Sequence, residues 1–231
     1  MDAAVKNRRD ANGVLSGKAG LILKDLERRF ISGKYHFGEL LSIASLAEEF
    51  DASRQPVSTA INHLRSMGYV TIVPQVGCKV VAPGKQEIAD FFYILGKAEG
   101  AIAGMAASRW VDDEINQLQQ IESAISDTAF DTMDHRDAYA YAYADAVDLF
   151  HYQIHDMARS PSTKSWLENL FRLADFYLWQ GDKPDFSSLG VAKANKERRA
   201  IIRALKQRDV SLTESLMEEH INGKPRRVGI L

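Results

Sequence analysis

Ser53, Arg54, Gln55, Ser58 and Thr59 crowd one short stretch of the chain, and each carries a group suited to a nucleic-acid surface. A guanidinium pairs in a bidentate manner with a guanine edge, and a carboxamide does the same with adenine. Hydroxyls and backbone N–H groups at a helix start can hold a phosphate. Asn62, His63 and Arg65 extend the row. Lys79 and Gly77 lie further along, in a short Gly-containing turn that can touch a DNA backbone or minor groove.

Those residues need a frame, and the surrounding pattern predicts one. Leu21, Ile22, Leu26 and Phe30 form a helical stripe with the stem of Arg29, and Ser32-Gly33 ends it. Ser42 can cap a short helix over residues 43–50, with Ser45 at its third position. After the break Asp51-Ala52-Ser53, a third helix runs from about Arg54 to Met67 with Pro56 in its first turn. Val57, Ala60, Ile61 and Leu64 make its apolar face, which leaves the polar row on the other side. Past Gly68 the period changes. Residues 69–73 and 78–81, joined by Pro74-Gln75-Val76-Gly77, read as a β-hairpin. Three helices followed by a hairpin describe a winged helix-turn-helix, whose last helix enters the DNA major groove.

Ala82-Pro83-Gly84 is the hinge after this module. The charge balance changes there: residues 1–84 carry +3 and the remainder −5, within a net charge of −2. A basic first third is the electrostatic footprint of a nucleic-acid partner. With 45% hydrophobic residues the chain has material for a core, so wholesale disorder is excluded. The single Cys78 excludes an internal disulfide and a Cys-rich zinc site. No uninterrupted apolar stretch reaches membrane-spanning length. The polar start has no apolar run of the secretory kind, so the expected location is the cytoplasm.

From Lys85 onward the pattern is helical. Helices are expected over about 86–110, with a small-residue face from Ala98, Ala101, Ile102, Met105 and Ala106, and over 111–126, 135–159, 162–180, 186–207 and 211–221. Gly181-Asp182-Lys183-Pro184 is a break. Short loops make neighbouring helices antiparallel.

Residues 33–81, GKYHFGELLSIASLAEEFDASRQPVSTAINHLRSMGYVTIVPQVGCKVV, resemble the GntR family of bacterial transcription regulators. The core Ser53-Arg54-Gln55-Pro56-Val57 is intact, as are Ala60, Leu64, Gly68, Val70, Gly77 and Val80. Phe37 stands where Pro is usual and Ala52 where Val is usual. Ser58 and Ala44 occupy positions where the family often has Arg. The resemblance implies DNA contacts from Ser53, Arg54 and Gln55, assisted by the wing near Gly77.

The helical remainder is similar to the FCD domain of the FadR subfamily, through Glu99 with Ala101–Ala107, Phe150-His151, Ala204-Leu205 with Asp209, and Met217 with His220-Ile221. That resemblance implies an antiparallel bundle that binds a small organic acid and dimerises. Many FCD domains hold a divalent metal with one Asp and three His. Here His151 and His220 fall on the first and last His positions, while Val147 replaces the Asp and Arg198 the middle His. Asp148 and His155 lie nearby on the same helix. A permanent cation at a ligand position opposes a metal, so no metal and no cofactor is expected. Arg198 instead either grips a carboxylate as a fork or forms a surface salt bridge with acids near Glu197 or Asp209. His151 and His220 add hydrogen bonds, with Tyr143, Arg172 and Trp179 as further lining.

The expectation is therefore a mainly α chain with a winged helix-turn-helix, a small β-hairpin and a C-terminal antiparallel all-α bundle. Its divisions are a flexible arm (1–15), the DNA-binding domain (16–84), the effector-binding and dimerisation domain (85–223) and a tail (224–231). The function expected is a homodimeric, sequence-specific regulator that binds operator DNA with two-fold-related half-sites. It is a repressor released by a small carboxylate-type effector, with no membrane partner and no enzymatic activity. The alternatives are a metal-dependent hydrolase using His151, His220 and Asp148, or a regulator without ligand control. No phosphate-binding glycine loop, nucleophile elbow or HExxH supports the enzyme.

Overall fold

The computed structural model describes residues 15–127, 136–180, 188–227 and 229–231. The expected arm up to residue 14 and the break at 181–184 lie outside them. In chain order the elements are helix α1 (Gly17–Ile31), strand β1 (Leu40–Leu41), helices α2 (Ile43–Glu49) and α3 (Arg54–Ser66), and strands β2 (Val70–Val73) and β3 (Gly77–Val80). Then come α4 (Lys85–Arg109), α5 (Glu114–Ser126), α6 (Arg136–Met157), α7 (Pro161–Leu178), α8 (Ser188–Lys206), α9 (Val210–Asn222) and α10 (Lys224–Arg227). They form two compact units, Met1–Glu87 with Phe171–Lys183, and Ile88–Leu170 with Pro184–Leu231.

In the first unit, α1 buries Ile22, Leu23, Leu26 and Phe30, a spacing that puts all four on one face. It packs against α3, which offers Val57, Ala60, Ile61 and Leu64 in return. The expected cap on α2 forms: Ser42 Oγ accepts from the Ser45 backbone N–H at 3.4 Å. The hairpin pairs Val70 with Val80 and Val73 with Gly77. A third strand was not expected. β1 pairs antiparallel with β3, Leu40 opposite Lys79 and Leu41 opposite Cys78, so the order is β1-β3-β2.

Aromatic rings fill the unit. Phe30 lies 5.4 Å from Tyr69 and 5.4 Å from Phe176, and Phe37 packs edge-on to Phe176 at 5.5 Å. Phe176 belongs to the second half of α7. The Gln180 carboxamide accepts from the Phe37 backbone N–H at 2.8 Å and donates to the Tyr35 carbonyl at 2.9 Å. Both bonds tie the segment after α7 into this unit.

The second unit is all helix. Its first helix, α4, starts at residues of the first unit, where Glu87 accepts from the Gly84 N–H at 2.9 Å. The close face of α4 differs from the expected one. Ala101 is exposed, and Ala98 and Met105 are half-buried. Gly96, Gly100 and Gly104 make the approach to α9 instead: a Cβ at Gly100 would stand 2.7 Å from Glu218 Cγ and 3.0 Å from the Glu214 carbonyl oxygen. α5 begins at Glu114 rather than Val111, because Asp113 takes a left-handed φ of 70°. It packs on α6 and α8, and α8 packs on α9. The Trp110 indole donates to the Leu205 carbonyl at 2.9 Å, and the Arg208 guanidinium lies 4.0 Å over its ring. α10 was expected as tail; Lys224 and Pro225 are buried, which anchors it. Among the described residues, no helix is long and apolar enough to cross a membrane.

Candidate nucleic-acid interface and buried anion site

The apolar stripe of α3 faces its own unit, so the polar row is turned outward. Ser53, Arg54, Gln55 and Thr59 are exposed, and Ser58 is half-buried. Ser53 occupies the N-cap position, yet its side chain does not cap the helix. No acid sits in the first turn of the helix itself, although Glu48 and Asp51 line the same concavity as Ser53 and Arg54. Thr59 spends its hydroxyl proton on the Gln55 carbonyl at 3.0 Å. Lys79 is exposed on β3, and the wing tip is the exposed turn Pro74–Val76. Gly77 is a correction to the expected contacts. It is buried with a φ of 148°, and a Cβ there would fall 2.2 Å from the Leu41 carbonyl oxygen. Its role is to let β1 approach β3.

The second unit gathers polar residues into its interior. Glu99 on α4 is fully buried. Its Oε1 lies 2.8 Å from His155 Nε2 and its Oε2 lies 3.2 Å from His151 Nδ1. His151 and His155 are one turn apart on α6, so a single carboxylate reaches both. The His151 ring stacks on that of His220 from α9, with centroids 5.6 Å apart. His220 Nδ1 lies 2.7 Å from Glu197 Oε2, which also accepts from Arg227 Nη1 at 2.9 Å. Arg198, on α8 beside Glu197, is 1% exposed. Its Nη2 donates to Asn195 Oδ1 and, at 3.4 Å, to the Tyr143 hydroxyl.

Burial and these charges set the protonation states. Burial alone would raise the Glu99 carboxyl, but the imidazole partners outweigh it and hold Glu99 well below the usual carboxylate range. Burial, then the Lys224 charge, pushes His151 down to about 3. Burial, then the His151 partner and the cations Arg227, Lys224 and Arg198, holds His220 well below the ordinary value. Both imidazoles are therefore neutral at neutral pH. Among the described residues, no carboxylate forms an ion pair with Arg198. Arg198 is a buried cation whose charge reaches the neutral imidazole of His220, on which His151 stacks.

A metal does not fit this donor set. Val147 and Arg198 stand at two of the four positions that the resemblance assigns to ligands. Among the described residues, no group of three or more His, Cys, Asp or Glu side chains could hold a metal ion. Asp148 is buried on α6 without joining one.

Of the expected lining, His151, Arg198, His220 and Tyr143 come together. Arg172 does not. Its Nε lies 3.7 Å from Glu27 Oε1 in the first unit, as does Trp179, whose carbonyl faces Gly33. Reasoning from residue type missed the partner roles of Glu99, Glu197, Asn195, Lys224 and Arg227. The i, i+4 pair His151/His155 and the i, i+3 pair Asn195/Arg198 were the available signals.

Comparison with known proteins matches two stretches of the chain. Residues 19–80 match the family described as "Bacterial regulatory proteins, gntR family", and residues 97–223 match the FCD domain. No curated protein matches the chain. Among solved structures, Escherichia coli McbR/YncC is 18% identical over 90% of this chain and 94% of its own, with a TM-score of 0.67. A GntR transcriptional regulator from Rhodococcus sp. RHA1 is 14% identical over 94% and 100%, with a TM-score of 0.68. Lar of Listeria monocytogenes is 17% identical over 93% and 97%, with a TM-score of 0.54. These structures share the fold. The two domain matches together cover most of the chain, which therefore belongs to the GntR family of bacterial regulatory proteins, as a DNA-binding transcription regulator with an FCD domain in the FadR-like arrangement.

Proposed function

We propose that the protein is a homodimeric repressor in the cytoplasm, released from its operator when a small organic anion enters the Arg198 site. The observation that carries this reading is the Arg198 side chain, 1% exposed, with its Nε making no hydrogen bond. Its charge reaches Glu197, but a buried guanidinium with no directly paired counter-charge still costs several kcal/mol. A ligand carboxylate supplies that counter-charge and the missing acceptor together. Asn195 and Tyr143 hold the guanidinium in place before the ligand arrives.

The DNA side of the reading rests on Ser53, Arg54, Gln55 and Thr59 lining the exposed start of α3, with Ser58 beside them and Lys79 on the wing. Two such heads in a dimer match two-fold-related half-sites. The ligand acts by binding one arrangement of the dimer better than the other, since equal affinity would shift nothing. Regulation without enzymatic turnover is consistent with the family.

The test uses the full chain and a duplex selected from a random pool. Binding is followed by fluorescence anisotropy with and without added carboxylic acids, and mass by sedimentation. The reading expects a dimer on one duplex and an acid that weakens binding. It expects Arg198→Ala to bind the duplex as wild type does and to ignore the acid. A variant that still responds sinks the carboxylate clamp.

A further inference from the structure

Arg29 sits where three parts of the first unit meet, and its side chain is 16% exposed. Its Nε lies 2.5 Å from Asp25 Oδ2, one turn back on α1. Its Nη1 donates to the Tyr35 hydroxyl at 3.1 Å and to Glu49 Oε1 at 2.6 Å. The guanidinium also stands 4.9 Å from the centre of the Phe50 ring. Glu49 ends α2, and Phe50 is its C-cap residue. Arg29 therefore fastens the far end of α2 to α1.

Helix α2 needs such a hold. It has seven residues and buries Leu46 and Ala47 alone among them, so its apolar contact is small. The turn that follows is bound to α2. The Asp51 N–H donates to the Glu48 carbonyl at 3.2 Å, and the Ala52 N–H to the Ala47 carbonyl at 2.9 Å. Asp51 bends the chain there with a left-handed φ of 45°, which Asp tolerates better than most residues. Helix α2 and its turn thus form one piece, and that piece delivers Ser53 and Arg54 to the start of α3. A guanidinium suits the task because its planar fork fixes angle as well as distance. With Nε and Nη1 engaged inside the unit, Arg29 works on its neighbours rather than on a phosphate.

We infer that Arg29 is a positioning residue for DNA recognition: it clamps α2 to α1 and so sets where the turn places Ser53 and Arg54. The inference rests on the reading of α3 as the recognition helix and adds to it a residue that makes no DNA contact.

The full chain would be titrated with the selected duplex and with an unrelated duplex of equal length. What decides is the ratio of the two affinities, because a change of net charge or a loss of folded protein shifts both together. Arg29→Met keeps a long side chain and loses a cation. Glu49→Gln loses an anion from a half-exposed position. Both should lower the ratio, by about ten-fold and about three-fold, although their charge changes are opposite. Arg54→Ala should lower it too. Added to Arg54→Ala, Arg29→Met should lower it by no more than about three-fold further, since a residue that it positions is gone. Glu49→Gln decides the matter should Arg29→Met fail to fold. A ratio that holds in either folded variant while Arg54→Ala lowers it overturns the clamp and leaves the recognition helix standing. So does a full loss from Arg29→Met in the Arg54→Ala background. Equal weakening on both duplexes with a shallower salt dependence makes Arg29 a phosphate contact, and that also overturns the clamp. An unchanged ratio in Arg54→Ala overturns both readings.

Discussion

Glu99 Oε1 on α4 lies 2.8 Å from His155 Nε2 on α6, with both side chains fully buried. The second oxygen of the same carboxylate faces His151 Nδ1, so one acid ties α4 to two turns of α6. Glu99→Gln keeps the shape but turns one acceptor into an N–H donor that faces an imidazole nitrogen. The expected loss is about 1–3 kcal/mol, read by urea unfolding of the whole chain. A change below about 0.5 kcal/mol would show that the carboxylate does not hold these helices.

Acid should destabilise the protein through the same cluster. His151 titrates near 3 in the folded chain against an ordinary value of 6.5. Below pH 6.5 the unfolded chain takes up a proton that the folded chain refuses. Stability then rises with pH between 3 and 6.5, by about 1 kcal/mol per pH unit for each such imidazole. His220 acts in the same direction. Glu99, with its carboxyl held low, contributes stability above the ordinary carboxylate range and loses it in stronger acid. Unfolding free energies at pH 7, 6 and 5 should fall steadily, and His151→Asn should flatten the slope. A flat profile in wild type would contradict neutral buried imidazoles.

The first unit depends on a ring from α7. Phe176 is fully buried against Phe30, Phe37 and Tyr69. Phe176→Ala should cost about 3–5 kcal/mol. Protease cleavage within residues 15–87 should become faster, and amide exchange of α1 and α3 should rise. Protection equal to wild type would mean that the ring is not part of that core.

Much of the first unit was legible because its apolar spacing is regular and short-range. Ile22, Leu26 and Phe30 mark α1, and Val57, Ile61 and Leu64 mark α3. β1 was not legible: two residues, Leu40 and Leu41, show no alternation, and their pairing depends on the missing side chain of Gly77. The wing role expected of Gly77 failed for the same reason. In the second unit His151, Arg198 and His220 could be picked out by type and by family position. Their partners could not, because Glu99 and Glu197 reach them only through helix packing that no local period encodes. Arg172 was chosen by type alone, and tertiary structure gave it to Glu27. The α10 segment Lys-Pro-Arg-Arg has no apolar period, so its burial was invisible.

Recognition of DNA should be separable from stability. Arg54 is exposed and starts α3, so Arg54→Ala should leave the melting temperature unchanged. It should weaken specific duplex binding by about 1–3 kcal/mol and relax preference at one base pair. Unchanged affinity would misplace the recognition helix.

The central claim is that DNA binding answers to an anion held by Arg198. The direct measurement is the affinity of the full chain for its selected duplex as small carboxylic acids are added, in EDTA, for wild type and Arg198→Ala side by side. The account predicts that an acid weakens wild-type binding by about ten-fold or more, a coupling of about 1.4 kcal/mol, and leaves the variant unmoved. Wild-type affinity that ignores every acid, or a variant that responds like wild type, would contradict it.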